Sequence, residues 1–336
     1  VDARVVLARV FAATPADGWT DGARWFGVSS ISDLDECEFD HFEPVFFETR
    51  PVVRLEVLRP GEGTARSLEV ARVTAEARRT AIGAAPGAQN LDEAVSLEML
   101  PGKAAVLRVG TFVAYRKPIP PEEIYRPFFE QIAAAGVETL ILDMRGNGGG
   151  SDSAAIDLAR FLVAEPFSLR SKAWVKTYRF GALKERLETW DESALSMPDE
   201  AFRRLDNGYY ELIADDAPRF EPLSPTFTGR LITLCGPANA SGATLFLAGL
   251  RERRPVTLVG EPTGGSVEGP TAGVILFLPL PNTGIRVRIP VIRSVTGMQP
   301  PAPGMGLVPD VVVTPTLEDL IAGRDVVMER AVEMMR

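Results

Sequence analysis

Histidine, lysine and cysteine are all scarce in this 336-residue sequence: it holds one histidine, His41, two cysteines, and lysines only at 103, 117, 172, 176 and 184. Two cysteines cannot build a disulfide framework. Cys235 ends an apolar run and reads as a small core residue, and Cys37 sits in an acidic stretch. Basic charge is also short. The net charge of −9 argues against general nucleic-acid binding, which needs a basic patch. No apolar run reaches the roughly 18 residues of a membrane-spanning helix, and no secretory signal is visible. The start at Val1 rather than Met is consistent with a removed leader or tag. A G-x-x-x-x-G-K-[ST] loop is absent, as is a well-placed G-x-G-x-x-G with a downstream acid, which argues against nucleotide phosphates. The acidic run Asp33–Asp40 lacks calcium-loop glycine spacing and reads as a solvated loop rather than a metal site. No metal or other cofactor is implied.

Hydrophobic residues make up 46% of the chain, enough for a sizeable core, and the length suggests two domains. One stretch organises the rest. Leu140, Ile141 and Leu142 form an apolar run that stops at Asp143, the pattern of a buried strand end. Gly146, Gly148, Gly149 and Gly150 follow, interrupted by Asn147, and a helical pattern runs over 154–162. Ser151, Asp152 and Ser153 are all able helix caps. Strand, glycine turn and helix N-terminus together favour an anion, because the first helical N–H groups lack partners. That anion can be a phosphate or the oxyanion of an acyl transfer; the alternative is a tight turn with no ligand.

A second stretch has the same grammar. Arg230–Cys235 reads as a buried strand and 241–250 as a helix, with Gly236-Pro237-Ala238-Asn239-Ala240 between them. Ser241 stands where strand becomes helix, flanked by small residues. A nucleophile needs that exposure beside an N–H that can meet a developing oxyanion. The alternative is that Ser241 only caps the helix.

Four ordered motifs carry a resemblance. L-D-M-R-G-N-G-G-G at 142–150 resembles the D-L-R-x-N-x-G-G signature of the C-terminal processing (tail-specific) serine proteases, peptidase family S41, including the tricorn-like and retinoid-binding-protein-like branch. N-A-S-G-A at 239–243 resembles that family's nucleophile segment, V-G-E-P-T-G-G at 259–265 its G-E-x-T-x-G block, and G-L-V-P-D at 306–310 its closing G-x-x-P-D. The resemblance implies a mixed α/β, ClpP/crotonase-like core preceded by a small, mostly β N-terminal domain. It also implies protein or peptide substrates and, by analogy with family members, an extracytoplasmic location.

The expected organisation is a β-rich domain over 1–80, a linker over 81–101 and the S41-type core over 102–336. In the front, strands are expected at Val5–Phe11, Val53–Leu58 and Ser67–Val73, the last two as a hairpin. T-P-A-D-G at 14–18 and V-R-L-E-V-L-R-P-G at 53–61 resemble the turns and last strands of a PDZ domain. Within the core, a strand over 104–109, a helix over 120–135 and the strand at 140–142 give a βαβ rhythm. Residues 165–227 match no motif and are expected to cover the cleft, with a strand at 172–178, an amphipathic helix over 183–205 and a loop over 218–225. Trp174, Tyr178, Trp190, Tyr209 and Tyr210 there are substrate-contact candidates or ordinary packing residues. Strands at 274–278 and 285–289 and a helix over 325–335 close the chain.

The resemblance assigns Ser241 as nucleophile. Gly242 and either Gly149 or Gly150 would donate the oxyanion-hole N–H groups, with Arg145 and Asn147 shaping the loop. The base is the difficulty. Where processing proteases carry a lysine after the G-E-x-T-x-G block, this chain has Ser266, which cannot accept the proton unaided. The tricorn-like branch uses a histidine, aided by a glutamate before G-x-x-P-D; the one histidine is His41, and the glutamate's position is Pro303. Glu268 is a nearby carboxylate able to orient a base. Three readings stay open: a hydrolase whose base is His41 or a lysine such as Lys117 or Lys172, a peptide-binding scaffold that has lost proteolysis, or other chemistry in which Ser241 is a cap.

Overall fold

A computed structural model of the chain describes residues 2–15, 21–30, 37–59, 61–82, 89–169, 172–213, 219–299 and 302–335. The chain divides into two units, Val1–Pro15 with Arg24–Ala88 and Ala16–Ala23 with Gln89–Arg336. In the first, Asp2 sets the opening element. Its carboxylate accepts the Arg4 N–H at 2.8 Å and caps helix α1 (Ala3–Ala13). The strand expected at Val5–Phe11 is therefore helix. A short apolar run satisfies either period, and the cap decides for the helix. Helix α2 (Asp21–Ser29) gives the first unit its residues from Arg24 on, and helix α3 (Glu38–Phe46) follows; the hairpin strands β1 (Val52–Val57) and β2 (Arg66–Ala71) form as expected, with Leu55 opposite Leu68. Helix α4 (Ala75–Ile82) closes the unit. Residues 16–18 of the first PDZ-like turn, Pro60 of the second, 33–36 of the acidic run, 83–88 of the expected linker and 214–218 of the expected cover lie outside the described residues.

The second unit is built on one mixed sheet. Helix α5 (Leu91–Ala94) and strand β3 (Val95–Leu100) lead in, so the stretch expected to be linker supplies the sheet's edge strand. Then come β4 (Ala104–Val109), helix α6 (Pro121–Ala134), β5 (Thr139–Asp143) and helix α7 (Asp152–Arg160). The expected cover holds β6 (Lys172–Val175), β7 (Phe202–Arg204) and β8 (Tyr210–Leu212). Strand β9 (Arg230–Cys235), helix α8 (Ser241–Arg253) and β10 (Thr257–Gly260) resume the core. Strands β11 (Ile275–Pro279), β12 (Arg286–Pro290), β13 (Ile292–Val295) and β14 (Val311–Val312) follow, with helices α9 (Leu317–Ile321) and α10 (Val326–Glu333) last.

The sheet order is β14-β10-β9-β5-β4-β3, parallel except for β3. Its strands are apolar on both faces, as a parallel sheet covered on both sides requires. Leu107, Leu140, Leu142, Leu231 and Leu258 face a core shared with Phe129 of α6, Leu158 of α7 and Phe246 of α8. The alternate residues Val106, Ile141, Ile232, Leu234 and Val259 face the opposite way, onto Val327 and Ala331 of α10. Each fully buried Leu, Ile or Phe stabilises this three-layer stack by about 1.5–3 kcal/mol. Pro121 starts α6, where its missing N–H costs nothing.

Two layers of helices thus leave the carboxyl ends of β4, β5, β9 and β10 side by side. Asp143 pairs with both Arg108 and Leu234, and Cys235 with Gly260. A smaller sheet, β13-β6-β8-β7, and the β11–β12 hairpin complete the unit. The helix expected over 183–205 does not form. Three short 3₁₀ turns at Gly181–Arg186, Glu192–Leu195 and Asp199–Ala201 precede β7. Asp191 binds the Ser193 N–H at 3.0 Å, and Pro198 stands before the last turn, so local caps and a proline win over the pattern. The aromatics here pack on one another: Tyr178 stacks on Phe202 with centroids 4.0 Å apart and meets Tyr210 edge-on.

Candidate active site

The glycine loop leaves the end of β5 under firm control. Arg145 donates from its Nε and terminal nitrogen to Asp143 at 2.9 and 2.7 Å, and its other contacts go to Asp325 at 2.6 and 2.8 Å. Burial opposes the Arg145 charge, but these bonds outweigh it and raise its pKa. The bond from Arg145 holds the Asp325 carboxyl below its usual range. Asp325 also caps α10 through the Met328 N–H at 3.0 Å. Asp143 is thus committed to structure, as the strand-end reading expects.

Asn147, fully buried, folds the loop on itself. Its side chain donates to the Val109 carbonyl at 3.2 Å and accepts the Gly149 N–H at 2.9 Å. The Gly149 carbonyl then accepts from Phe112 N–H at 3.0 Å, and Ser151 N–H donates to the Phe112 carbonyl at 2.8 Å. Between them Gly150 runs alongside Phe112 with φ +143°; a Cβ there would lie 2.3 Å from the Phe112 carbonyl carbon. Gly149, at φ +103°, would bring a Cβ to 2.9 Å from Ser241 Cβ and 3.0 Å from Gly242 N. Neither position admits a side chain, and that closeness brings the two segments into contact.

The turn that carries Ser241 leaves the neighbouring strand, β9. Asn239 is fully buried and staples it to the glycine loop. Its amide donates to the carbonyls of Met144 at 2.5 Å and Asn147 at 2.9 Å, across 92 residues of sequence in the second case, and its oxygen accepts the Gly236 N–H at 2.8 Å. Nothing in the sequence alone assigns Asn239 this role. A lone amide among small residues between a strand and a helix was the available signal.

Ser241 itself is half-buried and holds φ +50°, one of two positive-φ residues other than glycine in the described chain. It is not the cap of α8. Ala240 occupies that position, and no side chain caps this helix. Within this unit and among the described residues, Ser241 Oγ and the N–H groups of Gly242 and Gly150 have no hydrogen-bond partner, whereas the Gly149 N–H is taken. The two open N–H groups lie close together: a Cβ on Gly242 would sit 3.7 Å from Gly150 N.

The third strand end, after β10, is tied to the same place. Gly265 N–H donates to the Asn239 carbonyl at 2.8 Å, and a Cβ on Gly265 would lie 3.0 Å from Ala240 Cα. Ser266 follows, buried and bridged to Gly306; its Oγ accepts the Glu268 N–H at 3.1 Å. Thr263 Oγ1 accepts Leu307 N–H at 2.8 Å, binding the closing motif in turn. Asp310 of that motif holds the Leu258 N–H at 2.9 Å and Arg251 at 2.5 Å. Cys235 lies buried under this end of the sheet, and burial pushes its thiol up to about 12.

The core's lysines are engaged elsewhere. Lys117 pairs with Asp92 and Glu93 at 2.7 and 2.6 Å, and those bonds raise its pKa, the wrong direction for a base. Lys172 lies 3.4 Å from Glu211, Lys103 pairs with Glu138, Lys176 stands over the Tyr209 ring, and Lys184 binds Ser196. Glu268 pairs with Arg293 at 3.2 Å. Pro303 is exposed in a turn before Gly306. His41 belongs to α3 of the first unit. Among the described residues, no cluster of His, Cys, Asp and Glu could hold a metal ion, and no helix is long and apolar enough to cross a membrane.

Two solved structures share this architecture. Mature CPAF superposes with a TM-score of 0.52 at 18% identity, covering 84% of this chain and 68% of its own. A protein of Parabacteroides merdae ATCC 43184, solved as a candidate peptidase, gives 0.50 at 21% identity, covering 72% of this chain and 64% of that one. At such identities the likeness speaks for the fold, and this chain spans about two thirds of either length. No curated protein matches the sequence. The family model of peptidase family S41 matches residues 103–313. That span, more than half of the chain, runs from the first parallel strand to the closing motif, and the chain belongs to peptidase family S41.

Proposed function

We propose that this protein hydrolyses peptide bonds of protein or peptide substrates through an acyl-enzyme on Ser241, with the N–H groups of Gly242 and Gly150 receiving the oxyanion. The carrying observation is the Ser241 backbone. A serine at φ +50° bears strain of about 1–3 kcal/mol, which a helix cap does not require. Ser241 opens α8, and the next residue, Gly242, holds one of two N–H groups unpartnered among the described residues, where charge would develop during attack. The hydroxyl adds to the scissile carbonyl, the amine leaves with a proton, and water then cleaves the ester. Both steps need a group that takes the serine or water proton.

A second reading has its own observation. Ser266 stands at the family's lysine position, and every core lysine has another partner, which suits a protein that holds peptides without cutting them. A fluorophosphonate probe separates the two. Labelling of the native protein that disappears in Ser241→Ala supports the hydrolase. Native protein that labels no more than Ser241→Ala establishes the second reading.

A further inference from the structure

One face of the sheet β13-β6-β8-β7 collects positive charge in a chain whose net charge is −9. The register fixes which residues share it. Arg293 of β13 lies opposite Trp174 of β6, Trp174 opposite Glu211 of β8, and Glu211 opposite Arg203 of β7. Directly paired residues project to the same side, so these form one row across every strand. Lys172 and Lys176 stand two residues to either side of Trp174 and join it by the strand period. Both lysines are exposed, whereas the alternate residues Ala173 and Val175 are buried. The carboxylates on this face are already committed. Glu211, 5% exposed, pairs with Arg203 and lies 3.4 Å from Lys172, and Glu268 takes Arg293 at 3.2 Å. Lys176 has no carboxylate partner among the described residues; it stands 4.8 Å from the Tyr209 ring centroid, and Tyr209 lies 6.4 Å from Trp174. Trp174 Nε1 and Arg293 Nε, at paired positions, are buried without an acceptor among the described residues.

We propose that this face binds an extended, acidic segment of a polypeptide, its carboxylates set against Lys172, Lys176 and Arg203 and its apolar side chains against Trp174 and Tyr209. The proposal goes beyond the reading of Ser241 as nucleophile and does not need it. Surplus cations on an acidic molecule attract a complementary partner and orient it. Size favours a peptide over a longer polyanion. Three strand spacings put the β13 and β7 residues roughly 14 Å apart, the reach of about four extended residues. A nucleic acid or a membrane surface would continue past that span onto a molecule of net negative charge, which repels it.

Binding is measured on the full-length chain carrying Ser241→Ala, which prevents turnover. The probes are rhodamine-labelled octapeptides of alternating Glu and Leu, or of Gln and Leu. At low salt the Glu peptide is expected to bind roughly 10-fold more tightly, and salt at about 0.5 M to remove most of that preference. Lys172→Glu/Lys176→Glu is expected to abolish it, while Lys103→Glu, outside this sheet, leaves it intact. Lys176→Gln, which breaks no ion pair, serves if the double variant does not fold, and is expected to reduce the preference roughly 3-fold. Equal affinity for the Glu and Gln peptides overturns the proposal, as does an unchanged preference in a folded Lys172→Glu/Lys176→Glu or Lys176→Gln protein. A single-stranded oligonucleotide or anionic vesicles that bind more tightly than the Glu peptide, and lose binding in the same variants, overturn the assignment to a polypeptide. Fluorophosphonate labelling reports on Ser241 separately: its absence sinks the nucleophile reading and leaves the Glu-peptide result standing.

Discussion

The turns after β5 and β9 differ from the turn after β10, although all three meet at one end of one sheet. The first two hold a serine under backbone strain and two N–H groups without partners, fastened by Asn147 and Asn239. The third is equally well fastened, through Gly265, Thr263 and Leu307, yet presents a buried serine, Ser266, at the position where the resemblance to the processing proteases implies a lysine. Electrostatic stabilisation and proton transfer are separable parts of acyl transfer. On the proposed reading, the first two turns supply the first part, and the third carries a serine in place of a lysine for the second.

Supplying the absent amine is the most direct way to break that contrast. Ser266→Lys is expected to raise the rate of Ser241 acylation by an activated ester about 10²–10⁴-fold, the usual worth of a placed base. Burial at position 266 would lower the lysine's pKa and favour the neutral, proton-accepting form. The rate is measured against Ser241→Ala/Ser266→Lys as the blank. An unchanged rate in a folded Ser266→Lys protein would mean that position 266 does not face the serine, and the third turn would drop out of the site.

The staple between the first two turns is the next target. Asn239→Ala removes bonds to two buried carbonyls and one buried N–H. Leaving such groups unsatisfied costs on the order of 3 kcal/mol. Urea denaturation is expected to show a lower midpoint, and fluorophosphonate labelling of Ser241 to slow in the protein that remains folded. A loss of stability with unchanged labelling would show that the loop holds its place without the amide.

Much of this arrangement was legible beforehand, for identifiable reasons. Leu140–Leu142 and Arg230–Cys235 are short apolar runs that stop at a polar residue or a glycine turn, the mark of buried strands, and the glycines and Ser241 fall at their ends. The ordered motifs joined those ends before any coordinate did. Where the residues carried two periods at once, the reading failed: Val5–Phe11 fits a strand until the Asp2 cap is counted, and 183–205 fits a helix until Asp191 and Pro198 interrupt it. The choice between Gly149 and Gly150 as donor was not readable either. It depends on which N–H the Asn147 side chain occupies, a contact two residues long that adjacent glycines do not reveal.

The smallest expected effect concerns the clamp that anchors the glycine loop to α10. Asp325→Asn keeps a good helix cap, since asparagine serves as well as aspartate there, but removes the charge that faces Arg145. Asp325 is half exposed to solvent, so the loss belongs with partly screened ion pairs, at most about 1 kcal/mol. The pH dependence identifies it. Arg145 depresses the folded pKa of Asp325, so its contribution is complete above roughly pH 4, the unfolded carboxyl range, and fades as pH falls through the lower folded value. The native protein should be more stable than Asp325→Asn at neutral pH, and the two should converge in acid. A difference that persists unchanged to the acid limit would mean that the clamp acts through packing and the cap, and that the charge on the loop's anchor does nothing for the donors it holds.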